Sequence, residues 1–326
     1  MIQIAEVFHP NDRSLWTLVK QCGVKHVVGG FGLQPIEGAD PERQPWSYMS
    51  LLRIKTAYND AGFELAVIEN RPPMERIKLG LPGRDEEIEV VKELIRNMGR
   101  LGIPVWCYEF MPIVRVVRTS ATIPARGGAL VTGYDHELMA DAPLTAYGTY
   151  TDEQIWENLK YFLEQVVPVA EEHNVKLAAH PDDPPLSPLR GMARVLRSIE
   201  NYQKLIDLVP SPVNGVALCQ GNFTLMTDDL PAAIRHFGSQ EKIFFVHFRD
   251  VRGTPEKFVE TFHDEGKTDM LACMRAYREV GYAGVCRPDH VPTMEGDDEG
   301  TPGYTKIGRL FAIGYIKGLR EAVYRD

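Results

Sequence analysis

The feature that most constrains this chain is a rhythm: apolar runs of strand length recur eight times, each followed by a segment of helical character. The runs are 2–8 (IQIAEVF), 26–30 (HVVGG), 64–70 (ELAVIEN), 103–110 (IPVWCYEF), 175–180 (VKLAAH), 214–220 (NGVALCQ), 243–250 (IFFVHFRD) and 283–289 (AGVCRPD). Most are continuous in hydrophobicity rather than alternating, as parallel strands covered on both faces are. The helix-like segments are 13–22, 46–61, 85–101, 152–173, 189–208, 229–238, 267–280 and 304–322. Eight strands alternating with eight helices predict an α/β protein, a (β/α)8 TIM barrel. A doubly wound sheet competes with this reading, but no glycine-rich fingerprint follows the first strand. Gly29-Gly30-Phe31-Gly32 follows the second strand without a good helix start, and reads as a turn at the barrel mouth rather than a phosphate loop.

Local signals support the helices. Segment 85–101 opens acidic and ends basic before Gly102, the polarity a helix dipole favours. Segment 152–173 also opens acidic, and its Pro168 is expected to kink or divide it. Residues 1–326 are expected to form a single barrel domain. Two connections are long, 31–45 and 111–150. The second exceeds an ordinary turn. It contains two β-prone runs around Ala125-Arg126-Gly127-Gly128, which predicts a hairpin lid over the C-terminal mouth of the barrel.

Charge narrows the functional classes. Thirty-six basic against 45 acidic residues give a formal charge of −9. That is the wrong footprint for a nucleic-acid binder or for an anionic membrane surface, so neither partner is expected. No apolar stretch approaches the ~20 residues that would span a bilayer. The N-terminus lacks the basic start and apolar core of a signal peptide. Five dispersed cysteines (22, 107, 219, 273, 286) form no CxxC pair, which suits a reducing compartment and a cytoplasmic location. A homo-oligomer is expected.

The strand ends carry the chemistry. His180, Cys219, His247 and Asp289 end the fifth to eighth runs, separated by 39, 28 and 42 residues. In a barrel each interval is about one strand–helix unit, so the four side chains converge on one mouth. Two imidazoles, a thiolate and a carboxylate suit a borderline transition metal better than calcium or magnesium. Alone, each has a bland reading: a strand-end histidine is often only hydrogen-bonded, and a cysteine is often a small buried hydrophobe. Glu69 and Glu109 end the third and fourth runs, and either binds a sugar hydroxyl, serves proton transfer, or pairs with an arginine. Asp182 and Asp183, in His-Pro-Asp-Asp-Pro-Pro, are candidates to orient a ligand histidine. Arg249, two residues past His247, is a candidate carboxylate clamp. Cys22, Cys107, Cys273 and Cys286 read as packing residues, and Trp16 and Trp106 as core.

AAHPDDPP (178–185), LCQG (218–221), VHFRD (246–250), RPDH (287–290), GTPGYTKIGRL (300–310) and CYEFMP (107–112) together resemble the signature segments of the D-mannonate dehydratase family, iron/manganese type. The resemblance runs along nearly the whole chain. It implies a xylose isomerase-like barrel that removes water from D-mannonate, giving 2-keto-3-deoxy-D-gluconate, with Mn2+ or another ion such as Fe2+, Co2+ or Mg2+. It implies His180, Cys219, His247 and Asp289 as metal ligands and His290 with Tyr304 as the acid/base pair, without assigning which is which. Because Asp289 and His290 would face opposite ways on an ideal strand, the chain must leave the strand before both reach the site. The sequence departs from the family where Gly30-Phe31, Glu109, Arg115-Val116 and Val291-Pro292 stand. Those departures leave room for a related aldonic acid as substrate. The alternative enzyme is a sugar isomerase or epimerase of the same barrel class; a non-catalytic carbohydrate binder would have no need of His290.

Overall fold

The structure is a computed structural model that describes residues 1–297 and 300–325. Eight parallel strands close into a barrel: β1 (Gln3–Phe8), β2 (His26–Gly29), β3 (Glu64–Ile68), β4 (Val105–Glu109), β7 (Lys176–His180), β8 (Asn214–Cys219), β9 (Ile243–Phe248) and β12 (Val285–Pro288). Closure comes from β1, which pairs with β2 on one side and with β12 on the other, Gln3 opposite Val285. Each strand coincides with one of the eight apolar runs. The ladders stop one or two residues short of several runs, because Glu69, Arg249 and Asp289 have already left for the mouth.

The period of two along a strand decides what enters the barrel. Ala5, Val67, Val105, Cys107, Ala178, Ala217, Phe245 and Val285 belong to one buried cluster inside the barrel. Their neighbours Ile4, Trp106, Leu177, Leu218 and Val246 belong to the larger core between strands and helices. Two residues beyond an inward residue lies another inward position. Val67 therefore leads to Glu69, Cys107 to Glu109, Ala178 to His180, Ala217 to Cys219, Phe245 to His247, and Val285 to Arg287. The top layer of the barrel interior is thus polar by register.

The helices are α1 (Arg13–Gln21), α2 (Tyr48–Asp60), α3 (Glu75–Leu79), α4 (Arg84–Arg100), α5 (Asp152–Glu172), α6 (Ile199–Leu208), α7 (Gln220–Met226), α8 (Leu230–Gly238), α9 (Met270–Glu279) and α10 (Lys306–Tyr324). Asp85, Glu86 and Glu87 occupy the first turn of α4 and Arg100 its last. A capping box of Thr151 and Gln154 starts α5. Pro168 does not divide α5, which runs unbroken to Glu172. Both Pro168 and Glu164, whose carbonyl loses its partner, are exposed, so water can satisfy that carbonyl. The helix expected over 189–208 begins only at Ile199, capped by Ser198. Before it, Arg190 and Gly191 take positive φ, and Leu189 and Met192 close a turn on each other. The short helices α3 and α7 had no sequence signal strong enough to separate them from loop.

The long connection after β4 contains the expected hairpin, β5 (Ser120–Pro124) against β6 (Leu130–Asp135). A second hairpin, β10 (Val251–Thr254) and β11 (Lys257–Glu260), joins it edge to edge, with Phe258 opposite Tyr134. The result is a four-stranded antiparallel sheet outside the barrel, ordered β10-β11-β6-β5. Tyr134, Leu225, Val251 and Phe258 pack its inner face. Leu130 and Thr293 bond each other's backbones at 3.0 and 2.8 Å, tying the sheet to the loop after β12.

Candidate active site

The inward layer at the strand tips surrounds a cleft of about 570 Å³ that opens to solvent. His180, Cys219 and His247 present ligand-type atoms that all lie within 4.8 Å of one another. His247 Nδ1 is 3.2 Å from His180 Nε2 and 3.6 Å from Asp289 Oδ2. Cys219 Sγ is 3.9 Å from the same Asp289 oxygen. The four residues expected to meet at the mouth do meet there. Burial, reinforced by the neighbouring His247, pushes His180 down to about 4, so its imidazole is neutral near pH 7, the form a metal ligand needs. Burial pushes the Cys219 thiol up to about 12.

A second group of this kind consists of Glu69, Cys107 and His247. Glu69 is already engaged, because Arg287 grips it through Nε and Nη2 at 2.7 and 2.8 Å. His247 Nε2 lies 2.9 Å from Glu69 Oε1. Although burial opposes ionisation, the charges of Arg287 and His247 hold the Glu69 carboxyl well below its ordinary range. Cys107, read from sequence as packing, thus stands at the edge of the site.

Asp289 and His290 both reach the centre because β12 ends at Pro288 and His290 adopts φ +39°. The turn is held by Val291 N–H donating to Gly303 C=O at 2.8 Å. Arg287 Nη1 and the Tyr304 hydroxyl donate to Asp289 Oδ1, at 2.8 and 3.0 Å. The Tyr304 ring stands perpendicular to the His290 imidazole, centroids 5.3 Å apart. Burial, and then the Asp289 charge, raise the Tyr304 phenol far above its ordinary value.

The remaining candidates divide. Glu109 lines the cleft but is bound by Arg71, by Lys78 Nζ at 3.0 Å, by Arg115 Nε at 3.2 Å and by the Met111 N–H at 2.7 Å. Arg249 and Asp182 lie behind the cleft wall. Arg249 is fully buried and donates to Asp183, Asn222 and Glu260 at 3.0, 2.8 and 2.9 Å. A Cβ at Gly221 would collide with its Nε, so only glycine lets the guanidinium pass. Asp182 accepts from Leu196 N–H at 2.7 Å and faces Arg194 Nε at 3.5 Å.

Comparison with known proteins bears on the whole chain. A family model described as D-mannonate dehydratase (UxuA) matches residues 1–145 and 140–326. A mannonate dehydratase of Thermotoga neapolitana is 36% identical over 336 residues, covering 92% of this chain and 91% of that protein. The chain belongs to the D-mannonate dehydratase family. Mannonate dehydratase 2 of Halalkalibacterium halodurans is 33% identical over 97% of both chains. The crystal structure of mannonate dehydratase from Streptococcus suis serotype 2 superposes with a TM-score of 0.89 at 30% identity, over 99% of this chain and 94% of that one. An L-ribulose 3-epimerase structure follows at TM-score 0.63 and 14% identity, covering 100% of this chain and 96% of that one, a likeness of fold alone.

Membership makes the chain a hydro-lyase acting on sugar acids, with the xylose isomerase-like barrel expected. The family is metal-dependent, and the donor set here fits: neutral imidazole, thiol and carboxylate converge. Two of the family departures, Glu109 and Arg115-Val116, stand on one wall of the cleft, where Arg115 and Glu109 pair with each other. Sequence reasoning missed Arg71, Arg118, Arg287 and Glu260. Arg287 was within reach, since it stands two residues before Asp289 as Arg249 stands two after His247. Glu260 was not, because the hairpin carrying it went unread.

Proposed function

We propose that this chain removes water from D-mannonate, or from a closely related aldonic acid, to give a 2-keto-3-deoxy acid, with Mn2+ held by His180, Cys219, His247 and Asp289. The observation that carries this reading is the convergence of three ligand-type atoms within 4.8 Å beside a carboxylate whose other oxygen receives the Tyr304 hydroxyl at 3.0 Å. A hydrogen α to a carboxylate is barely acidic, and a divalent cation supplies charge stabilisation for the anion its loss creates. His290 takes the proton from C2. Tyr304 gives its proton to the departing 3-hydroxyl, which leaves as water and closes the C2–C3 double bond. The enol then tautomerises to the 2-keto acid, and one proton in and one proton out balance the step. Tyr304 suits the acid role because it is seen donating, and His290 is the remaining group at the centre.

Glu69 and the Arg71–Glu109–Arg115 wall border the space for the substrate, whereas Arg249 and Asp182 brace the residues around it. The connection that leads into the outer sheet brings Arg115 and Val116 to the cleft edge, and this segment with its sheet is the lid of our reading. A cytoplasmic location is supported by five unpaired cysteines. The test is a screen of aldonic acids and sugars with Mn2+ for a 2-keto-3-deoxy product. In parallel, His290→Asn is expected to abolish turnover with metal content near wild type. Undiminished activity in that variant refutes the assignment of His290.

A further inference from the structure

Three arginines line the cleft: Arg71, Arg115 and Arg287. Two of them are fully engaged. Arg287 is buried, grips both oxygens of Glu69, and donates to Asp289 and to the Pro288 carbonyl. Arg71 is also buried, and donates to Glu109, to Glu75 at 2.7 Å and to the Pro72 carbonyl at 3.4 Å. Arg115 differs. Its side chain is half-exposed, and its ion pair runs from Nε to Glu109 Oε1 at 3.2 Å. No acceptor is paired with its Nη1 or Nη2 among the described residues. A guanidinium approached through Nε keeps its Nη1–Nη2 edge for a second, bidentate carboxylate or a phosphate.

The charges on this wall do not cancel. Arg71, Lys78 and Arg115 carry three positive charges, whereas Glu75 and Glu109, the carboxylates they pair with, carry two negative ones. The surplus falls on Arg115, because Lys78 and Arg71 are buried in their pairs and Glu109 is shared among all three cations. The backbone that carries Arg115 is fixed. Its carbonyl accepts from Arg194 Nη2 at 3.5 Å, and Val117 N–H donates to the Asp183 carbonyl at 3.2 Å. The mount is thus held while the charged end faces the cleft. Glu109 is the register partner of His180 on the neighbouring strand, so this wall adjoins the proposed metal ligands.

We propose that Arg115 is a specificity-determining residue that receives a second anionic group, at the end of the substrate remote from the metal. The preferred substrate is then a dianionic sugar acid, with a carboxylate or phosphate on C6, rather than an aldonic acid with a neutral C6 hydroxyl. This rests on the proposed dehydration in this cleft, with C1 and C2 at the metal. An extended six-carbon chain places C6 ~6 Å from C1, the scale of the step from one strand tip to the wall beside it. The dehydration at C2 and C3 is unchanged; only the far end of the acid is read by Arg115.

The experiment compares D-mannonate, D-mannarate (C6 a carboxylate) and 6-phospho-D-mannonate with the Mn2+-loaded full chain. Wild type, Arg115→Gln and Arg115→Glu are assayed for kcat/KM, and affinities are measured by calorimetry in the same three chains carrying His290→Asn. Wild type should favour at least one dianion over D-mannonate by ~10-fold in kcat/KM, the scale of one charged hydrogen-bonded contact. The ratio should fall to near one in Arg115→Gln and below one in Arg115→Glu. Because it compares two substrates on one variant, general damage to fold or metal content cancels. Whichever dianion shows the larger ratio identifies the group as carboxylate or phosphate. A wild-type ratio at or below one for both dianions, or a ratio that the Arg115 variants leave unmoved, overturns the inference. If none of the three acids is dehydrated, the dehydratase reading fails, and the affinity ratios alone decide on Arg115: tighter dianion binding that is lost in Arg115→Gln upholds its role, and equal affinities overturn it.

Discussion

Glu109 and His180 are register partners on adjacent strands, at the tips of β4 and β7, yet they live in opposite electrostatic states. Glu109 is saturated: two cations neutralise it, a third touches it, and a backbone N–H completes its shell. Among the described residues, His180 bonds only its neighbour's carbonyl and another imidazole, His247. A strand-tip residue is therefore not functional by position alone. The corner with every polar atom satisfied holds the barrel together, and the corner left with spare lone pairs is built to receive something.

The largest break in that comparison is expected at His180. His180→Ala should strip the metal after dialysis, with at least ~10-fold weaker affinity and activity at background, because one of few ligands is gone. Elemental analysis checks it, and full metal occupancy would remove His180 from the ligand set.

Glu109→Gln should act on stability instead, costing ~3–5 kcal/mol in chemical denaturation, since buried Lys78 and Arg71 lose their counter-ion. A drop in metal content without loss of stability would erase the contrast between the corners. The same carboxyl also predicts a pH effect. Burial would raise it, but Lys78, Arg71 and Arg115 together hold it well below its ordinary value of 4.5. A depressed folded-state value means the contribution is present above pH ~4.5 and is lost as pH falls below it. The wild type should thus lose stability below that pH, and Glu109→Gln should lose less.

The smallest effect belongs to Arg115, whose side chain is 56% exposed. Arg115→Ala should change stability by less than ~1 kcal/mol, because solvent screens the pair. A cost near that of Glu109→Gln would show that the wall needs all three cations.

The barrel was legible because buried parallel strands cannot alternate: Ile243-Phe244-Phe245-Val246 and its counterparts stand out as runs. The proposed ligand quartet was legible for a related reason, since each member follows an inward residue by two positions. What escaped depended on contacts distant in sequence. Arg118 and His290 are 172 residues apart, and no local pattern pairs them. The β10–β11 hairpin is short and polar, with Arg252, Gly253 and Thr254 exposed, so nothing in its composition announced a strand. Residues 189–198 misled in the other direction. Their apolar content suits a helix, but Arg194 is drawn into the interior beside Asp182, and the chain follows it.

The left-handed turn at His290 has a consequence for how such a site can change. Because Asp289 and His290 are consecutive and both look inward, the cation binding and proton abstraction proposed for them hang from one short lever. A sideways shift of the final barrel strand would displace both together, keeping their separation while altering their reach. Substrate preference can then drift through the facing wall, where Glu109 and Arg115 stand, and leave the reacting pair untouched.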